Sequence, residues 1–272
     1  MTSMHYNKAF YDLQRNGSFT SACVMLPYVF EVVPNIATAT DIGCGVGTWL
    51  SVARLLGRRV LGRDFHPTAS ELLLAEDEFI RTDLCEVAMR VHQYQERYDL
   101  CLSLEVAEHL PLERAEGFVS YLCAQSDLIM FGAAIPGQGG TNHVHERWQS
   151  YWVEMFARNG YQHFDIFRNK FWNNKNIEFW YIQNTFIFCN AQNAALVQRC
   201  QAVESPMPLD VIHPRVFARR EGEKPRSQCE MEFASLCRLA HYHVTKKNYD
   251  RAQHFMKRAL HLQLDAQTVS RP

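Results

Sequence analysis

"TDIGCGVGTWL", residues 40–50, sets Asp41 just ahead of three glycines at positions 43, 45 and 47. Glycine tolerates positive φ and lets another molecule approach the main chain closely. The run before it, "IATATDIG" (36–43), has strand character, and "TWLSVARLLG" (48–57) after it has helical apolar spacing closed by a glycine. Strand, bare turn and helix in that order aim backbone N–H groups and a helix N-terminus at a ligand.

Working outward, the same alternation continues. "FTSACVMLPYVFEVV" (19–33) reads as a helix, "RRVLGRDF" (58–65) as a strand, "HPTASELLLA" (66–75) as a helix and "EFIRTDL" (78–84) as a strand. "YDLCLSLE" (98–105), "LERAEGFVSYLCAQ" (112–125) and "SDLIMFGAAI" (126–135) follow as strand, helix and strand. The pattern predicts a mostly parallel α/β sheet with helices on both faces. After the helix "ERWQSYWVEMFARNG" (146–160) come two β-rich runs, "YQHFDIFRN" (161–169) and "EFWYIQNTFIFCN" (178–190), split by turn-like residues. Two strands without an intervening helix predict an antiparallel edge hairpin. Three segments are expected: residues 1–190 as the main α/β domain, 191–228 as a linker or surface strap rich in proline and charge, and 229–272 as a C-terminal helical hairpin. One helix pair of this kind cannot bury its own face. It is expected to pack on the main domain or, as a homo-oligomer, on a second copy.

The chain has 272 residues, 47% of them hydrophobic, with 28 Lys plus Arg against 29 Asp plus Glu. That is a folded globular composition with no bulk charge to attract a polyanion. Nine scattered cysteines with no C-x-x-C pair read as reduced thiols. No window approaches the ~18 apolar residues of a membrane span. A cytoplasmic location is expected.

Two ligand classes suit the glycine turn, dinucleotides and S-adenosylmethionine. In the dinucleotide fingerprint G-x-G-x-x-G the third glycine falls at position 48, which here is Thr48. A carboxylate at Asp41 also suits an ammonium better than a pyrophosphate. Both features favour adenosylmethionine. "DIGCGVG" followed by the acid of "VLGRDFHP" (60–67), the acid of "RTDL" (81–84) and "YDLCLSLEVAEHL" (98–110) resembles the class I methyltransferases over residues 10–190. The resemblance implies a Rossmann-like sheet. It also implies a cofactor site of Asp41, Gly43, Cys44, Gly45, Asp64, Asp83, Leu84 and Leu104, with Asp64 on the ribose hydroxyls and Asp83 at the adenine amine. Read singly, Asp64 is a helix cap, Asp83 a loop acid, and Ser18 and Ser21 of "GSFTSA" (17–22) an N-terminal cap.

The acceptor belongs beyond the carboxyl ends of the strands. "EVAEHLP" (105–111), "AAIPGQGGTNHVHERW" (133–148) and the aromatic loop "KFWNNKNIEFWY" (170–181) converge there. The second and third resemble a bacterial and viral group of class I methyltransferases associated with surface-glycan synthesis. Trp148, Trp172, Trp180 and Tyr181 suit either sugar stacking or a core. His109 and His143 are the candidate catalytic bases. Glu105, Glu108 and His109 stand at i, i+3 and i+4, and with His143 or His145 are candidate ligands for a divalent metal such as Mg2+. The expected activity is O-methylation of a sugar hydroxyl on a glycan or nucleotide-sugar, with S-adenosylmethionine as cofactor. The rivals are a metal-dependent RNA 2′-O-methyltransferase, with "RVFARREGEKPR" (215–226) against phosphate, and a non-catalytic scaffold whose hairpin recruits a partner. A small-molecule or glycan partner is expected rather than nucleic acid.

Overall fold

The computed structural model describes residues 8–65, 67, 70–89, 96–218 and 228–269. Its centre is a seven-stranded sheet in the order β3-β2-β1-β4-β5-β7-β6, built from β1 Thr38–Ile42, β2 Arg59–Asp64, β3 Phe79–Arg81, β4 Leu100–Leu104, β5 Leu128–Gly132, β6 Tyr161–Phe164 and β7 Phe186–Asn190. The first five run parallel, and β7 is antiparallel to both β5 and β6. This is the Rossmann-like sheet with an antiparallel edge hairpin that the sequence predicts.

Every residue of β4 and β5 is buried, as expected for parallel strands covered on both faces. Their side chains divide by alternation. Leu100, Leu102, Leu104, Leu128 and Met130 enter one core, while Cys101, Ile129 and Phe131 enter the other. The first core is closed by α1 Lys8–Val32 and α2 Thr48–Leu55, the second by α4 Ala115–Gln125 and α5 Gln149–Arg158, with α3 Leu84–Val87 beside α4.

Four local expectations are corrected. The described part of 66–75 is no helix. Leu73 N–H donates to the Val46 carbonyl (2.9 Å), and both Leu73 and Leu74 are buried, so tertiary packing draws the segment over the glycine turn. The run 178–190 is a strand only from Phe186; its first half is α7 Phe179–Asn184, and α6 Arg168–Phe171 precedes it. Residues 191–203 hold the helix α8 Ala194–Val203, started by Asn193 accepting from Leu196 N–H, so only 204–214 forms a strap. Finally, Ser18 and Ser21 lie inside α1 and do not cap it: Ser21 hydroxyl donates to the Gly17 carbonyl (2.7 Å) and accepts from Glu178 N–H (3.0 Å) at the start of α7.

The strap is held by Arg168, which is fully buried, pairs with Asp165 (2.8 Å) and donates to the carbonyls of Met207 and Leu209. Beyond α9 Arg215–Ala218, the chain ends in α10 Gln228–Thr245 and α11 Tyr249–Val269, packed on each other. They dock on the sheet's own helices: His241 of α10 stacks on Phe19 of α1 (4.7 Å), and α11 lies against α2. All nine cysteines are free thiols. Among the described residues no helix is long and apolar enough to cross a membrane.

Candidate active site

The strand order reverses between β1 and β4, and the site lies at the carboxyl ends of the strands around that point. Gly43, Gly45 and Gly47 all have positive φ (87°, 54° and 85°). A β-carbon on Gly43 would lie 2.5 Å from Val106, and one on Gly47 2.4 Å from Leu74; one on Gly45 would meet nothing within 4 Å. Gly43 and Gly47 are therefore glycine for packing as well as for conformation, while Gly45 faces open space.

Gly45 N–H donates to Asp64 Oδ2 (2.9 Å), so Asp64 reaches back to the turn and the cap reading is set aside. Asp41 is 3% exposed, and burial, then the charge of Asp64, pushes its carboxyl well above the usual carboxylate range. Cys44 is buried beside them, its thiol raised chiefly by burial. Asp83 caps α3 by accepting from Cys85 N–H (2.8 Å), which places Leu84 at the first helical position, and Leu104 ends β4. Two close carboxylates, one desolvated, beside a bare turn fit a cationic ligand that approaches backbone. Adenosylmethionine meets that description through its ammonium and sulfonium.

A second cluster lies past β4. Glu108, His109 and His143 offer ligand atoms all within 4.8 Å of one another. The loop after β5 brings His143 in: N–H groups of Val144 and His145 both donate to the Glu108 carbonyl (2.9 and 3.0 Å). His143 Nδ1 lies 2.9 Å from Glu146 Oε1 and its Nε2 4.0 Å from Glu108 Oε1. His109 Nδ1 lies 3.2 Å from the Asn142 carbonyl. Both Nδ1 atoms face pure acceptors, so each neutral ring carries its proton there and its lone pair on Nε2. The two rings meet edge to face at 4.8 Å.

Glu108 is completely buried, and neither carboxylate oxygen accepts a hydrogen bond. Burial, then the charge of Glu105, raises its pKa well above the ordinary value; its own N–H and that of Ala134 oppose the rise without reaching hydrogen-bond geometry. Gly140 has a different constraint, since a β-carbon there would lie 2.1 Å from His143 Nε2. Gly140→Ala should therefore displace the imidazole and lower turnover while leaving cofactor affinity intact, and equal loss of both would overturn the placement.

Glu105 does not join this cluster. It leaves β4 with φ 58°, and its carboxylate is claimed by Gln138 Nε2 (2.7 Å) and Asn184 Nδ2 (2.8 Å). The amides continue as a network: Gln138 Oε1 accepts from Asn184 and Gln183, and Gln183 Oε1 accepts from His213 N–H on the strap. His145 also stays apart, buried against Tyr151 and Trp152, its pKa lowered chiefly by burial. Sequence reasoning missed Gln138, Asn142, Gln183 and Asn184, whose types carry no periodic signal. Glu146 lies inside the stretch 133–148, and its role of orienting His143 shows only in the fold. Of the aromatics, Tyr181 is buried, set edge to face with Trp49 (5.0 Å) and bonded to Ser18 (2.9 Å). Trp172 and Trp180 are partly buried, Trp172 against His213 and Trp180 against Phe179; Trp148 alone is exposed, at 37%. The basic stretch 215–226 lies mostly outside the described residues, and within it Arg215 donates to the Ile177 carbonyl (2.9 Å).

No family model matches the chain. No curated protein matches it either. Among solved structures it is similar to magnesium protoporphyrin IX methyltransferase of Synechocystis PCC 6803 with bound S-adenosylmethionine, at 19% identity over 69% of this chain and 85% of that one, TM-score 0.44. It is similar to the methyltransferase domain of bacterial CtHen1, at 17% identity over 63% and 98%, TM-score 0.44. It is also similar to an amino pentose methyltransferase of Micromonospora echinaspora, at 11% identity over 70% and 100%, TM-score 0.46. At such identities the site's own residues must carry any functional reading.

Proposed function

We propose that this chain is an S-adenosylmethionine-dependent O-methyltransferase acting on a sugar hydroxyl of a glycan or nucleotide-sugar. The observation that carries the cofactor is the open face of Gly45 beside the paired carboxylates Asp41 and Asp64. Bound adenosylmethionine supplies a methyl group on a sulfonium, open to in-line attack. Asp41, near the end of β1, would offset the ligand's positive charge, Asp64 would accept from the ribose hydroxyls in place of Gly45 N–H, and Asp83 would meet the adenine amine. Asp64→Ala should weaken binding by roughly 1–3 kcal/mol through unpaired polar groups, read by calorimetry. Wild-type affinity there would remove Asp64 from the site.

On the acceptor side, His143 is the base that takes the hydroxyl proton at Nε2, held in the right tautomer by Glu146. His109, fixed by Asn142, lines the same approach. Polar side chains of this density suit a hydroxyl-rich acceptor.

A second reading is favoured by the unsatisfied Glu108 carboxylate, since a buried carboxylate is stable when protonated or when it faces a cation. Glu108, His109 and His143 would then hold one divalent ion, with Glu146 and Asn142 orienting the imidazoles from behind. One carboxylate and two imidazoles suit Mn2+ or another first-row ion better than Mg2+. The test is methyl transfer from labelled cofactor to sugar, nucleotide-sugar and RNA acceptors, with and without divalent ions and chelator. Transfer to RNA alone would replace the sugar reading, and failure to bind cofactor would leave the scaffold reading.

A further inference from the structure

We infer that the C-terminal helices belong to the cofactor-holding machinery, with Tyr249 and Arg54 as positioning residues; this rests on the adenosylmethionine reading above. Helix α2 begins at the glycine turn and carries Arg54 in its last turn. The Arg54 guanidinium lies 3.8 Å from the ring centroid of Tyr249, the first residue of α11. Its Nη1 donates to Glu78 Oε2 (2.7 Å) and its Nη2 to the Leu73 carbonyl (3.4 Å). The same Glu78 oxygen accepts from Ala75 N–H (2.8 Å), so one cation ties down both ends of residues 73–78.

That segment holds the turn. Leu73 N–H bonds the Val46 carbonyl (2.9 Å), and Leu74 fills the space beside Gly47. A continuous line of contacts therefore runs from α11 through Arg54 and Leu73–Leu74 to the bare backbone at 45–47. A second grip is Gln253 Nε2 on the Leu55 carbonyl (3.2 Å), beside Arg54 at the same C-terminal end of α2.

The ring decides where the guanidinium sits. The Arg54–Glu78 pair is partly exposed, at 18% and 21%, and such a pair holds a long side chain weakly by itself. A cavity of about 200 Å³ lined by Arg54, Leu55, Tyr249, Asp250 and Gln253 gives the guanidinium room to swing once the aromatic face is gone. Tyr249 thereby transmits the docking of α11 into the shape of the turn.

The experiment uses the full chain and S-adenosylhomocysteine as the titrant, with wild type, Tyr249→Leu, Tyr249→Phe and Met256→Ala. Leu keeps apolar bulk without the quadrupole, and Phe keeps the ring. Met256, buried in α11, is a control for destabilising the helix without touching Arg54. Tyr249→Leu should weaken binding about threefold to tenfold, and Tyr249→Phe should stay within about twofold of wild type. In the ligand-free protein, amide exchange at Leu73 and Gly47 should quicken in the Leu variant alone. Unchanged affinity and exchange in Tyr249→Leu, a Phe variant no better than Leu, or an equal loss in Met256→Ala would overturn the inference. A wild type that binds no S-adenosylhomocysteine overturns the adenosylmethionine reading itself, an outcome distinct from these three.

Discussion

Gly45→Val should yield a folded protein that no longer binds S-adenosylhomocysteine. The two consequences have separate causes. A β-carbon at this position touches no protein atom within 4 Å, so the fold bears only the conformational cost of a side chain at φ 54°. That cost is roughly 1–2 kcal/mol, against a typical stability of ~5–15 kcal/mol. The isopropyl group, however, occupies the space above the turn where a ligand must approach the main chain, and loss of affinity should exceed ~100-fold, beyond the ~2.7 kcal/mol that factor represents. The neighbouring glycines supply the contrast. Valine at Gly43 or Gly47 would collide with Val106 or Leu74 inside the core, and those variants should fail in folding. Circular dichroism with calorimetry separates the cases, and a wild-type titration in folded Gly45→Val would place the ligand elsewhere.

This part of the site was legible because its chemistry is local. Asp41, Gly43, Gly45 and Gly47 lie within seven residues, and the near-continuous apolar runs of β4 and β5, buried on both faces, mark the strands that frame them. What was lost was decided by partners distant in sequence. "SELLLA" has helical spacing, yet Leu73 and Leu74 gain more by covering the glycine turn than by forming a helix. "EFWYIQN" is rich in strand-forming aromatics, and a short apolar run cannot by itself distinguish a strand from one buried helical turn. The E-x-x-E-H run invites a shared helical face. The structure breaks that face, because Ala107–His109 is a single 3-10 turn and Glu105, left-handed at the end of β4, turns to Gln138 and Asn184 instead. His143 joins from a loop 34 positions further on, a pairing visible only once the chain is folded.

Glu108→Gln and chelation should then decide what that cluster does. In metal-free wild type, Glu108 holds its proton more tightly when folded than when unfolded, because burial and Glu105 raise its pKa. Its burial is therefore best tolerated below the ordinary carboxylate range, and stability is lost as pH rises from that range through the raised native value. The isosteric amide removes this loss, so chelated Glu108→Gln should be the more stable protein at neutral pH. With a divalent ion the order reverses. At a hundred times its dissociation constant, Mn2+ adds about 2.7 kcal/mol to the wild type, a rise in Tm on the order of 5–10 °C, and should add nothing to the Gln variant. If the ion also polarises the acceptor hydroxyl, chelator silences the wild type reversibly, and turnover of Glu108→Gln falls about a hundredfold or more. If His143 acts as base alone, activity survives chelator. His143→Ala then loses ~10²–10⁴-fold in kcat with cofactor affinity unchanged. Chelator-resistant turnover together with full kcat in both His109→Ala and His143→Ala would eliminate the two roles at once.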